Sequence, residues 1–441
     1  DYKQEYKYNI AVVKGDNYDV CKKYRKWGID NKFIPFAMGR FADRKDIPNW
    51  WKDICVWLCC DIYDKKDYST DWTIDAVRFL DMQVGIHLYQ WSENIYDTHY
   101  PNMLPARENV KDDLPRLCEN NVIIMPYTNG HIVDRAQSDW YTKFGDTLLL
   151  EKENGNFVKS PYQSVNTENM EACPASDYQD CYYNEAMNVL RTLKPDALYT
   201  DQLGSTPAET CFSDEHRHAP GGGDFWTKTY NNLLNKIRKD INAEREEPII
   251  MTTECSAEVM PVDAWLACAE WGDGLTDTNS QMYVFSGYRA KFGVIVFEEE
   301  MNRDDSLPAI NKTAVALCKG YQLGWQLTNE GSGGNLVCKY PKFGNHLKDA
   351  AHARYAGREY FNLGEMVRPV KFINDIPTRD IWWKYYGEEK TRAYPTVRTC
   401  SYYYKGKTMV CLSSVNPDSD TEVSFEANPS DLYLKNKSSY T

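Results

Sequence analysis

Ala197-Leu198-Tyr199-Thr200-Asp201-Gln202-Leu203-Gly204 is an apolar run that ends abruptly in an acid, an amide and a glycine turn. Further along, Pro248-Ile249-Ile250-Met251-Thr252-Thr253-Glu254-Cys255 does the same, with a glutamate in the aspartate's place. Each run has the length and apolar character of a strand buried on both faces. Segment 225–243 carries a helical pattern and leads into the second run. Strand, helix and strand in that order make a βα unit, whose two strands lie parallel.

The alternation continues in both directions. Strands are expected at 54–61, 85–91, 122–127, 197–201 and 249–254, then at 264–271, 294–297 and 324–328; helices at 73–82, 110–120, 178–193 and 225–243 fall between them. Eight units over about 300 residues is the size of a (β/α)₈ TIM barrel, an α/β fold, with loop insertions. The long insertion is 138–177, and a helical region at 348–363 closes the barrel. Residues 1–30 read as a lead-in or the remnant of a preceding β domain, with a strand-like stretch at 6–14 and a short helix at 18–27. From about 366 the pattern turns to period two, at 398–404, 408–413 and 422–425, broken by Lys405-Gly406 and Asn416-Pro417 turns. That predicts a small antiparallel, sandwich-like domain over 366–441, after a catalytic barrel over 31–365.

A barrel of this kind builds its active site at the carboxyl ends of its strands. Asp201 and Glu254 stand at two such ends. As fourth and fifth strands these are neighbours, about 4.8 Å apart, and carboxylates at one height would be separated by about 5–5.5 Å, the spacing of a retaining glycosidase. On this reading Asp201 is the nucleophile and Glu254 the acid/base, its pKa raised by burial and by the neighbouring charge. The bland alternative is a pair of strand-end carboxylates capping the next helices.

Other strand ends supply polar and aromatic groups to the same ring: Tyr89, Trp91 and Glu93 after the second strand, Tyr127, Asn129 and His131 at the third, and Gln202 beside Asp201. Amides and hydroxyls there would bind sugar hydroxyls, with Trp91 as a stacking platform. Asp273 and Asp277 follow the sixth strand and could stabilise the transition state or serve as an alternative acid, Asp277 being also a substrate-binding candidate. The segment Cys211-Phe212-Ser213-Asp214-Glu215-His216-Arg217-His218-Ala219-Pro220-Gly221-Gly222-Gly223 carries a His-x-His pair and three glycines. The glycines match neither GxGxxG nor a P-loop. Contact of His216 or His218 with substrate is preferred over a metal, so no metal and no cofactor are expected.

The acidic balance, 64 acidic against 51 basic residues and a net charge of -13, argues against a nucleic-acid partner. No apolar run approaches the roughly 18 residues of a membrane span. The partner expected is a carbohydrate, which the 32 tyrosines and 13 tryptophans suit, although most of these rings will be core. The 14 cysteines form no CxxC, which disfavours zinc ribbons and thioredoxin-like chemistry. Cys55, Cys59 and Cys60 read as buried thiols, and Cys173, Cys181 and Cys211 as disulfide candidates in loops. With sequons at Asn311 and Asn436, the cysteines lean towards a secreted, disulfide-bonded glycoprotein.

The run Tyr199-Thr200-Asp201-Gln202, the 216–223 loop and Thr252-Thr253-Glu254 resemble an uncharacterised family of barrel proteins grouped with glycoside hydrolases. More distantly the arrangement is similar to endo-alpha-N-acetylgalactosaminidases and the alpha-amylase superfamily. The resemblance covers about residues 30–365 and implies an alpha-linked substrate, an aspartate nucleophile on the fourth strand and a glutamate acid/base on the fifth. The competing reading is a glycosidase-like barrel turned non-catalytic, a glycan-binding or structural component of an extracellular assembly. A metal-dependent hydrolase centred on His216 and His218 ranks last.

Overall fold

A computed structural model describes residues 10–60, 71–267, 279–328, 336–385, 388–416 and 419–434. Eight strands close into a barrel: β1 (Val56–Cys60), β2 (Gly85–Leu88), β3 (Ile123–Asn129), β4 (Ala197–Asp201), β5 (Ile250–Glu254), β6 (Ala264–Leu266), β7 (Ala290–Phe297) and β8 (Gln322–Thr328). Every neighbouring pair is parallel, and β8 returns to β1. All eight expected strands are present. The expected starts of β7 and β8 fell late because each strand contains a glycine that reads as a breaker. Gly293 has φ +74, and a Cβ there would lie 2.5 Å from that of Trp325; Gly324 has φ +78, and its Cβ would meet the Trp57 carbonyl oxygen at 2.3 Å. Gly293 thus makes room for the Trp325 side chain, and Gly324 for the close approach of the β1 main chain. Gly85 likewise makes room in β2, where a Cβ would sit 2.3 Å from the Trp57 ring. The Trp57 indole N–H donates to Gln322 Oε1 at 2.6 Å.

Near the start of β6, Asp263 is buried and accepts from Arg44 and Arg238 at 2.8 Å each, and from the Met251 N–H. Against the cost of burial, the two guanidinium charges hold its carboxyl below the usual range. The cluster fixes β5 to β6 at the end of the barrel away from Glu254.

The expected helices are present as Asp71–Leu80, Glu108–Glu119, Tyr178–Leu193 and Phe225–Asn242, and the closing region is two helices, Pro341–Ala356 and Arg358–Leu363. Helix Leu307–Cys318 is buried along its whole length. It lies between β7, β8 and the C-terminal strands. The Asn311 sequon sits inside it, with Asn311 at 1% exposure, so an oligosaccharide transferase cannot reach it in the folded chain. Asn436 lies outside the described residues.

After the barrel come β9 (Glu365–Val367), β10 (Lys371–Phe372), β11 (Thr378–Tyr385), β12 (Glu388–Pro395), β13 (Val397–Tyr404), β14 (Lys407–Ser414) and β15 (Phe425–Glu426). They form three separate antiparallel sheets, β9–β13–β14, β10–β15 and β11–β12. The β13–β14 turn is the expected Lys405-Gly406, with positive φ at both residues (45 and 80), as a two-residue hairpin with the sheet's twist requires. At the other end of the chain, helix Asn17–Asp30 starts with a capping box between Asp16 and Asp19. Its Lys22 and Arg25 pair with Glu365, joining the lead-in to β9.

Candidate active site

Asp201 is the last residue of β4 and Glu254 the last of β5. The ladder pairs Tyr199 with Thr252 and Thr200 with Thr253, so the two carboxylates come next, at one height on neighbouring strands. The chain leaves both strands the same way. Gln202 has φ 67 and Cys255 φ 54, left-handed conformations that non-glycine residues adopt at a cost and that cluster at functional sites. Gly204 lets the two exits pack together, since a Cβ there would stand 2.2 Å from the Glu254 carbonyl oxygen.

Asp201 is 5% exposed. Burial, and after it the charge of Glu254, pushes its pKa up to about 8, opposed by hydrogen bonds from the Tyr127 hydroxyl, the Gln202 N–H and the Tyr199 hydroxyl. The Tyr127 hydroxyl donates to Oδ2 at 2.8 Å and that of Tyr199 to Oδ1 at 3.2 Å. Asp201 is the more deeply enclosed of the two carboxylates. Carboxylates that interact this strongly titrate as a pair, and donors committed to one of them favour its anion.

Aromatic rings enclose that pair. Tyr89 lies 4.7 Å from Tyr127 and 5.3 Å from Tyr96, centroid to centroid, and Tyr96 is 5.3 Å from Tyr127. Burial, then the charges of Tyr96, Asp201, Tyr199 and Glu254 push the Tyr89 hydroxyl up. Beneath them His87 is fully buried and held neutral, its pKa pushed down to about 3 by burial. Its Nδ1 accepts the Trp325 indole N–H at 3.0 Å.

Of the expected site residues, Tyr89, Tyr127, Asn129 and Gln202 gather at Asp201. Asn129 works indirectly: its Oδ1 takes the His131 and Ile132 N–H groups and its Nδ2 donates to the Tyr127 hydroxyl at 3.2 Å. Gln202 is buried beside Asp201 with its Oε1 unpartnered among the described residues. Others are placed elsewhere. Trp91 is 1% exposed and donates to the Tyr127 carbonyl at 2.8 Å, so it is packing and offers no open face. Glu93 points to solvent. His131 is buried, paired with Glu171 and set against Trp226. His216 and His218 lie against Cys211 and Cys173, both nitrogens of each ring engaged, which leaves neither for a sugar hydroxyl. Cys181 is inside a helix, and it, Cys173 and Cys211 are all free thiols. Asp273 and Asp277 lie outside the described residues.

Sequence reasoning missed Tyr96, Tyr199 and Tyr162. Tyr199 was recoverable from strand period, being two residues before Asp201 on the same face. Tyr162 comes from the insertion and is 51% exposed; beyond burial, the charges of Glu254 and Asp201 push its hydroxyl up. No local pattern marks it.

Residues 2–284 match the family model described as a domain of unknown function, DUF6259. The chain belongs to this family. Among curated relatives, a Bacteroides thetaiotaomicron protein named "Putative glycoside hydrolase" is 32% identical over 219 residues, 48% of this chain and 31% of that one. A Monosiga brevicollis protein, "Putative glycoside hydrolase 22789", is 23% identical over 391 residues, 80% of this chain and 32% of that one. The chain thus spans about a third of the length of these relatives. Among solved structures, the ligand-free alpha-N-acetylgalactosaminidase NagBb of Bifidobacterium bifidum aligns with 94% of this chain and 65% of its own, at TM-score 0.63 and 13% identity. The maltogenic alpha-amylase AmyB of Thermotoga neapolitana aligns over 82% of this chain and 86% of its own, at TM-score 0.51 and 10% identity. These two likenesses establish a shared barrel fold.

Proposed function

We propose that the chain is a retaining glycoside hydrolase acting on an alpha-linked glycan, with Asp201 as nucleophile and Glu254 as acid/base. The observation that carries this is the pair itself: two acids in register at the mouth ends of β4 and β5, one enclosed and bound by two tyrosine hydroxyls. The names of the curated relatives support the reaction class. The alpha linkage rests on the resemblance of the motifs and on the activities named for the two barrels of like fold.

Asp201, in its ionised form, which the Tyr127 and Tyr199 hydroxyls favour, attacks the anomeric carbon as Glu254 passes its proton to the departing glycosidic oxygen. The C–O bond to the leaving group breaks and an ester to Asp201 forms. Glu254, now anionic, takes a proton from water, whose oxygen displaces Asp201 and restores the starting state with the original anomeric configuration. The unpartnered Gln202 Oε1 accepts a sugar hydroxyl, and the exposed Tyr162 ring covers an apolar sugar face. A glycan substrate fits an extracellular or secretory location.

The test is a panel of aryl alpha-glycosides, with the product anomer followed by proton NMR. Turnover should give the alpha product first. For the Asp201→Gly variant, added azide should restore cleavage and yield the inverted beta-glycosyl azide, whereas Glu254→Ala should yield the alpha azide. A beta first product would exclude the double displacement. Glycan binding by the intact chain without turnover would favour the non-catalytic reading.

A further inference from the structure

We propose that Cys173, Cys211, His216 and His218 form a closed tetrahedral zinc site, which pins the loop after Asp201 to the insertion after β3. Four ligand atoms, two sulfurs and two ring nitrogens, lie within 4.8 Å of one another. The close approaches are Cys173 Sγ to His218 Nε2 at 3.4 Å and Cys211 Sγ to His216 Nδ1 at 3.3 Å. Zinc bonds of about 2.3 Å to sulfur and about 2.05 Å to nitrogen give tetrahedral S···N edges of about 3.6 Å, so these two edges need lengthen only slightly, and the others adjust from within 4.8 Å, to admit the ion.

The surroundings are those of a metal site rather than of a chance cluster. His216 gives its Nε2–H to the Thr147 carbonyl at 3.0 Å, and His218 gives its Nδ1–H to the Ala219 carbonyl at 2.7 Å. Each bond fixes the tautomer whose lone pair faces the cysteines, which is how zinc-bound histidines are oriented. Both cysteines are fully buried. The His218 ring is stacked at 4.0 Å and 9° on Phe225, the first residue of the helix leading to β5. With four protein ligands there is no open position for water, so the role is structural.

The two segments that would be joined leave the barrel at neighbouring strand ends, Asn129 of β3 and Asp201 of β4, which are register partners. Loop 202–224 starts at the residue after Asp201, and Cys211 and Gly221 close its distal part by paired main-chain bonds. Cys173 lies two residues beyond Glu171, the partner of His131, and the Ala172 N–H donates to the His131 carbonyl at 2.9 Å. Two further main-chain bonds cross the junction, Phe212 to Glu151 and Arg217 to Ala175. Zinc would sit at its centre.

The same sulfurs could instead be oxidised to a Cys173–Cys211 disulfide, so the experiment must tell the two apart. The intact chain, freed of any affinity tag and dialysed against metal-free buffer, is assayed by plasma mass spectrometry and by peptide mapping without reduction. The proposal expects close to one zinc per chain, free thiols at 173 and 211, and loss of the metal in Cys211→Ser and in His218→Ala. Replacement by cobalt should give the visible bands of a tetrahedral site and a near-ultraviolet thiolate band; because this uses the wild-type chain, it remains decisive if a variant fails to fold. A mapped disulfide, no retained zinc, or cobalt spectra of an octahedral site would each overturn it.

Discussion

The pair Asp201 and Glu254 and the quartet Cys173, Cys211, His216 and His218 are built in opposite ways. Each member of the pair is placed by its own strand: the β4–β5 ladder fixes their relative height, and rigid strands hold side chains more accurately than loops do. The quartet comes from two irregular segments that meet only in the folded chain, through a few main-chain bonds and the side chains themselves. A barrel can therefore align its carboxylates without help, whereas the segments that leave β3 and β4 need a local fastening. On this view damage to the pair removes the chemistry and leaves the fold, and damage to the quartet loosens the fold and degrades the chemistry by degrees.

The largest effect expected is on the pair. Asp201→Asn should lower kcat by about 10⁴-fold or more, and Glu254→Gln by about 10²–10⁴-fold on substrates with poor leaving groups, with Tm close to wild type in both. A Tm drop matching the loss of activity would erase the contrast. Next comes Tyr127→Phe, which removes a hydrogen bond to a charged carboxylate. Such bonds contribute about 1.5–3 kcal/mol, so kcat/KM should fall roughly 10- to 150-fold, and the acid limb of the pH–rate profile should move up, because the donor favours the anion. An unchanged acid limb would mean that Tyr127 does not act through Asp201. Cys211→Ser is the counterpart for the quartet: Tm should drop by several degrees and KM should rise more than kcat falls. Chelator should do the same to wild type and nothing more to the variant. Tyr162→Ala should be milder, raising KM by about 2- to 10-fold through loss of one ring contact, with kcat and Tm unchanged.

The difference in construction also explains what could be read from the chain. Barrel strands are covered on both faces, so they appear as apolar runs, and an acid at the end of such a run is visible at once; β4 and β5 show this. The misplaced starts of β7 and β8 trace to Gly293, which makes room for the Trp325 side chain, and Gly324, which lets β8 approach the Trp57 main chain, rather than ending a strand. Strands β11 and β12 went unseen because Arg379, Asp380, Lys384, Glu389, Lys390 and Arg392 dilute their apolar positions. Trp91 was misjudged since no local rule says whether an indole N–H will meet a main-chain carbonyl. The quartet was hidden for a related reason. Zinc motifs are recognised when ligands come as close pairs such as CxxC, and here each cysteine stands alone, with Cys173 brought to His218 from another segment.

The smallest effect separates the pair from the rest of the fold by pH. In the folded chain the Asp201 carboxyl sits near 8, against an ordinary value of 3.8, so the native state holds that proton more tightly than the unfolded chain does. Its contribution to stability is fully present below about pH 4 and is lost as the pH rises through about 8. Wild-type Tm should accordingly fall between pH 5 and pH 9 by more than that of Asp201→Asn, which cannot ionise at that position. Because every other titrating group is common to the two proteins, the difference between their slopes isolates the coupled pair. Parallel slopes would mean that Asp201 ionises as readily as a solvent-exposed aspartate, and that its enclosure by the tyrosines imposes no electrostatic cost.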